Sequence, residues 1–128
     1  MTDQEALRLY TRLFTEALGE KPPEGMAYIA QFGCYRYQYP YGRDENGAPI
    51  GHSHSEWWPT SRVDWNAIHL LIERSEQNRK DWFIYLDGVG KTYSISIRNG
   101  DDYRISAASG SQPADMLEAF MQAAGLKE

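Results

Sequence analysis

Between residues 25 and 59 the chain places Gly25, Gly33, Gly42, Gly47 and Gly51 together with Pro40, Pro49 and Pro59. Glycine gives up backbone entropy in a helix, and proline removes a donor and clashes with the preceding turn, so no long helix can occupy that interval. Helices are confined to the flanks, and regular structure in the middle must be extended. There Tyr35, Tyr37, Tyr39 and Tyr41 alternate with Cys34, Arg36, Gln38 and Pro40. This is the two-residue period of a strand, with Pro40 at its end or at an edge position. Asn46-Gly47 reads as a turn. The segment 42–59, with His52-Ser53-His54-Ser55-Glu56 and Trp57-Trp58-Pro59, is expected to be a mobile loop. Loops of that length are uncommon in small domains and often carry function.

The flanks carry clear periodicity. Thr2 and Glu5 have the spacing of a capping box, and Leu7, Tyr10, Leu13, Phe14, Ala17 and Leu18 then recur on one helical face until Gly19 and Pro22-Pro23 end it. A second helix is predicted from Thr60 or Ser61, with Ser61 and Asp64 as its capping pair. Its stripe is Val63, Ala67, Ile68, Leu71 and Ile72, ending near Ser75. Trp82–Leu86 is an apolar run of strand length bounded by Asp87-Gly88. Tyr93, Ile95 and Ile97 alternate with polar residues, Asn99-Gly100 suits a tight hairpin, and Tyr103, Ile105 and Ala107 continue the alternation. A last helix is predicted with Ser111 as cap, Pro113 in the first turn, an apolar face of Ala114, Leu117, Phe120, Met121 and Ala124, and Gly125 as its stop.

These elements fit a single α+β domain over residues 1–128, with about three helices and three to four strands. Because Trp82–Leu86 reads as apolar on both sides, the small antiparallel sheet is expected to be covered on both faces, as a three-layer α/β/α sandwich. One cysteine, Cys34, excludes an intramolecular disulfide and a thiolate zinc cluster, and a lone thiol suits a reducing cytoplasm. The opening MTDQEALRLY begins acidic, unlike a signal peptide, and no apolar run reaches the roughly 20 residues a membrane helix needs. The expected location is the cytoplasm. A net charge of −5 argues against direct nucleic-acid binding, which needs a basic footprint.

Aromatic residues reach 13 %, including nine Tyr and four Trp. Tyrosine hydroxyls need partners when buried, so a row of four is a costly way to build a core, whereas Tyr, Trp and Arg dominate binding hot spots. Tyr35, Arg36, Tyr37, Tyr39, Tyr41, Arg43, Trp57 and Trp58 therefore form the candidate partner-binding set, against the plainer reading of an aromatic core. The histidines offer a rival. His52 and His54 in a His-x-His, with Asp64 or His69, could serve a small metal- or nucleotide-binding enzyme. A solvent-facing loop is the simpler account of that pair, and His69 reads as a helix-boundary residue. Cys34 lacks a paired base, Asp87–Lys91 lacks the length and following helix of a P-loop, and Asp101-Asp102 reads as a turn. No catalytic residue, metal or cofactor is assigned.

From Trp57 onward the chain resembles the phage ABA-sandwich domain family. The resemblance is carried by Pro59-Thr60-Ser61-Arg62-Val63-Asp64 leading into a helix, the hairpin region after Trp82, and Ser111-Gln112-Pro113-Ala114-Asp115 before the final helix. It implies a phage origin and the sandwich fold, and it transfers no functional residue. The resulting expectation is a small phage-type protein in the host cytoplasm that binds a bacterial host protein stoichiometrically. Small acidic phage proteins of that kind include inhibitors of bacterial defence such as anti-CRISPR proteins.

Overall fold

The computed structural model describes residues 2–21, 26–29, 34–37, 45–46, 57–58, 60, 62–100 and 103–126, the strands between 26 and 58 at the level of the backbone. Among these residues the order is α1 (Asp3–Arg12), β1 (Met26–Ile29), β2 (Cys34–Tyr37), β3 (Trp57–Trp58), α2 (Trp65–Asn78), β4 (Phe83–Val89), β5 (Thr92–Arg98), β6 (Arg104–Gly110) and α3 (Leu117–Ala124). The strands form two antiparallel sheets, ordered β1-β2-β3 and β4-β5-β6. The fold is α+β.

α1 starts as its sequence dictates, with the Thr2 hydroxyl accepting the Glu5 N–H at 3.1 Å. Beyond Arg12 the helix widens into a π turn over Leu13–Ala17, where the Leu18 N–H donates to the Leu13 carbonyl at 3.0 Å. Gly19, at φ 69°, supplies the left-handed stop. Leu7, Tyr10, Leu13, Phe14 and Leu18 are buried as the periodicity predicts, and Ala6 and Leu9 widen the stripe.

α2 begins later than expected. Asp64, not Ser61, is its cap: one carboxylate oxygen accepts the Ala67 N–H at 2.8 Å. Ser61 lies outside the described residues, and Thr60 donates locally to the Arg62 carbonyl. Ala67, Ile68 and Leu71 are buried, Val63 and Ile72 half-buried, and the helix runs past Ser75 to Asn78. α3 is preceded by a 3-10 turn, Pro113–Met116, capped at Gln112 rather than Ser111; the Asp115 carboxylate accepts the Gln112 N–H at 2.9 Å.

The second sheet departs from expectation in three places. Asp87-Gly88 does not end β4. The pairing with β5 continues from Phe83↔Arg98 to Val89↔Thr92, and the turn falls at Gly90-Lys91, where Gly90 has φ 65°. Gly88 stands opposite Tyr93, and a Cβ there would lie 2.9 Å from the Tyr93 ring, which also packs 4.3 Å from Trp65 between centroids. Glycine is thus used for room on the sheet as well as for a turn.

The second departure is a register shift between Ile97 and Arg98. Ile97 pairs with Ser106 but Arg98 with Arg104, which leaves Ile105 as an extra residue. The inward positions of β6 are consequently Ser106, Ala108 and Gly110, opposite Ile97, Ile95 and Tyr93, while Tyr103 and Ala107 are exposed. These small inward residues let α3 lie close over β6. The Asn99 N–H donates to the Tyr103 carbonyl at 2.9 Å, so the connection spans Asn99–Tyr103 and is not a tight two-residue turn. Asp101-Asp102 lies outside the described residues.

The third departure concerns layers. α3 covers β5 and β6, α2 flanks β4, and α1 packs on α3 while its Tyr10 hydroxyl reaches the Ala67 carbonyl of α2 at 2.7 Å. Ile95, Ile97, Ile68, Leu71, Phe14 and Phe120 meet in this core. The opposite face of β4–β6, where Phe83, Tyr85 and Val89 are exposed, has no helix over it among the described residues, and a third layer is not seen in them. The run Trp82–Leu86 misled because Trp82 precedes the strand and is buried beneath the Arg79 guanidinium, 4.3 Å from its ring centroid. Within the strand only Ile84 and Leu86 turn inward.

Candidate binding surfaces

The uncovered face is built by the alternation of β4. Phe83, Tyr85 and Val89 project from it and are 48 %, 55 % and 79 % exposed, with Tyr103 beside β6 at 69 %. Cross-strand register sets Phe83, Arg98 and Arg104 in one row, Tyr85, Ser96 and Ala107 in the next, and Asp87, Ser94 and Ser109 in the third. The face is therefore polarised, with two arginines at one end and a carboxylate at the other. The Arg98 guanidinium lies 5.4 Å from the centroid of the Tyr85 ring. A shallow hollow of about 460 Å³ crosses the rows between Tyr85, Asp87, Ser94 and Arg104. Exposed rings flanked by guanidinium groups suit adhesion to another protein surface, because each ring offers apolar area at low entropic cost.

The tyrosine-rich segment is a strand where it is described. β2 covers Cys34–Tyr37, and Tyr39, Tyr41 and Arg43 lie outside the described residues. Register places Tyr35 opposite Trp58 and Arg36 opposite Trp57, so four members of the candidate set meet on adjacent strands. Tyr28 of β1 pairs with Tyr35 on the other side, which extends that row to Tyr28, Tyr35 and Trp58. The short apolar run Met26–Ile29, set between glycines, was the available sequence signal for β1. β2 runs beside α1. Of the loop expected over 42–59, Glu45 and Asn46 are described as a turn and Trp57-Trp58 form β3 rather than loop, while Gly47 and the remaining residues lie outside the described ones.

The histidine constellation does not assemble where it can be followed. His52, His54 and Glu56 lie outside the described residues, and His69 is exposed on α2. Asp64 caps α2 with one oxygen and holds the Arg62 guanidinium at 3.5 Å with the other. Among the described residues no three His, Cys, Asp or Glu side chains come together as a metal cluster. Among the described residues, the Tyr10 hydroxyl is pushed well above the usual phenol range. Burial is the main cause, the Asp64 and Glu20 carboxylates add to it, and Arg74 opposes them. A phenol so placed is a neutral structural donor. No described helix is long and apolar enough to cross a membrane.

No family model, curated protein or solved structure matches this chain.

Proposed function

We propose that this chain is a protein-binding domain that acts by stoichiometric association rather than catalysis. The supporting observation is the face of β4–β6 with no described helix over it, where Phe83 and Tyr85 stand exposed beside Arg98 and Arg104, and Val89 stands exposed at the opposite, Asp87 end. Apolar side chains gathered on one face, in a chain with 24 % charged residues, are what a docking surface requires. The second surface in this reading is the face of β2–β3 on which register sets Tyr35 beside Trp58, with Arg36 and Trp57 sharing the opposite face. The narrower form is a phage-type inhibitor of a bacterial host defence protein, acting in the host cytoplasm. It rests on the resemblance of residues 57–126 and on the chain's size and acidity.

The test uses the immobilised full chain in a bacterial lysate, followed by affinity measurement on whatever it captures. Tyr85→Ala or Val89→Ala should weaken binding by about 2 kcal/mol, the hot-spot scale, with stability changed by under about 1 kcal/mol. Tyr37→Phe probes the second surface, and Trp57→Ala the opposite face of β2–β3, in the same way. Capture that survives all four substitutions refutes the reading. The rival, a small metal- or nucleotide-binding enzyme using His52, His54, Asp64 or His69, requires stoichiometric metal or nucleotide bound at neutral pH and lost in His54→Ala.

A further inference from the structure

β4 is an edge strand. It pairs with β5 along its whole length without slippage, and no strand pairs with its other side among the described residues. Proteins usually blunt such an edge with lysine, proline, a bulge or a short strand. The other edge, β6, starts with Arg104 beside a bulge. β4 has none of these devices: Phe83–Val89 contains no lysine or proline, and its one charge is Asp87. A hollow of about 410 Å³ opens beside it, lined by Glu76, Lys80, Trp82, Phe83, Ile84 and Tyr85 and by no residue of β5, which places it on the free side.

We propose that β4 pairs antiparallel with β4 of a second copy of this chain, about a two-fold axis at Leu86. The register follows from symmetry. For two copies to share one continuous sheet with their helices on the same side, the axis must set one residue opposite itself. Centred on Leu86, the pairing sets Phe83 opposite Val89 and Tyr85 opposite Asp87, whose carboxylate can accept a hydrogen bond from the phenol. Just beyond the strand ends it brings the Gly90-Lys91 turn of each copy alongside Asp81 of the other, and by symmetry does so twice. There the long Lys91 side chain can join Arg79 on the Asp81 carboxylate. Asp81 and Lys91 are both exposed. The neighbouring registers are worse. An axis at Tyr85 puts Phe83 against Asp87, one at Asp87 sets two carboxylates face to face, and one at Ile84 sets Asp81 against Asp87. In the Leu86 register the turn at Gly90-Lys91 of each copy lies over the hollow of the other. The product is a six-stranded sheet whose uncovered faces are continuous.

A single strand pair is a small interface, so the dimer should dissociate in the micromolar range. Sedimentation equilibrium of the full chain gives the constant. Asp81→Lys alone, or Lys91→Asp alone, should weaken it roughly tenfold or more, because each change replaces two attractions by two repulsions. The Asp81→Lys/Lys91→Asp double variant restores both pairs and should return it to within about threefold of the parent. Val89→Lys, at a position 79 % exposed, should abolish the dimer while leaving the melting temperature of the monomer unchanged. A chain that stays monomeric up to roughly millimolar concentration overturns the proposal. A dimer indifferent to Val89→Lys, or one that the charge swap does not restore, also overturns it. A monomer whose β4 edge instead captures a strand of another protein assigns the edge to that partner and rejects the second copy.

Discussion

Removing one oxygen atom from Tyr10 should change stability in opposite directions at neutral and alkaline pH. The Tyr10 side chain is fully buried, and its hydroxyl donates to the Ala67 carbonyl at 2.7 Å. Tyr10→Phe keeps the ring and its packing on Phe14, 5.0 Å away between centroids, and deletes only that bond. Ala67 lies within α2, so its carbonyl keeps the bond the helix provides, and the loss should be that of one net hydrogen bond, about 1 kcal/mol. For a chain of this size that is a fall in Tm of about 3–5 °C. At high pH the sign turns. The Tyr10 phenol is raised above its unfolded value of about 10, so the unfolded chain releases its proton first. The stability this group contributes is complete below about pH 10 and is withdrawn as pH rises, by about 1.4 kcal/mol at pH 11. The phenylalanine variant has no such proton to lose, and the remaining tyrosines are common to both chains. The two stability curves should therefore cross near about pH 10.7, where the withdrawn contribution equals the lost bond. Urea unfolding followed by circular dichroism, run on both chains from about pH 7 to 11, measures this directly. Curves that stay parallel throughout would refute the account of Tyr10 as a buried neutral donor.

Leu71→Ala and Phe120→Ala, both at fully buried positions facing the sheet, should each cost about 2–5 kcal/mol in urea unfolding. Asp64→Ala removes the cap of α2 and should cost about 1 kcal/mol, with Asp64→Asn recovering most of it because the amide oxygen can still accept the Ala67 N–H. Gly88→Ala should cost about 1–3 kcal/mol, since the new methyl meets the Tyr93 ring held against Trp65. In a Tyr93→Ala background the same change should cost far less, a coupling that a double-mutant cycle reads out.

The three helices were legible from their periodicity, although the starts of α2 and of the turn before α3 are capped by Asp64 and Gln112 rather than by Ser61 and Ser111. Thr2, the stripe through Leu71 and the Gly125 stop each act through local chemistry that a sequence displays. The inward face of β5 was legible for the same reason, with Ile95 and Ile97 alternating against serines. The face of β6 was not. One extra residue at Ile105 reverses every side chain after it, and nothing in Tyr103–Ala107 announces the slip. Asp87-Gly88 has the composition of a turn, yet its pairing with Ser94 and Tyr93 holds it in the strand, a tertiary effect that local propensity cannot display. The uncovered face was hidden by a related ambiguity. A continuous apolar run states that side chains are apolar, and not that both sides are covered, so Phe83 and Tyr85 were counted toward a core. In the other sheet the residue types of the Tyr35–Trp58 surface were visible, but only the register showed which tryptophan faces which strand residue.

The polar ties between the segment that follows α1 and the C-terminal end of α2 also bear on the order in which the molecule assembles. Glu20 accepts from Arg74 at 2.8 Å and from Asn78 at 3.3 Å, and Arg79 donates to the Ala17 carbonyl at 3.3 Å. These partners are separated by 54, 58 and 62 positions along the chain. β4, β5, β6 and α3, in contrast, each meet an immediate neighbour. Closing a long segment costs entropy before any contact offsets it, whereas hairpins form locally within microseconds. Residues 65–126 should therefore organise first, leaving the N-terminal helix to dock last onto α2 and α3. In the native state the same asymmetry makes that helix the first to detach. Its amides should exchange with deuterium through an opening that costs less than global unfolding, while those of β5, paired on both sides, should exchange only when the whole molecule unfolds.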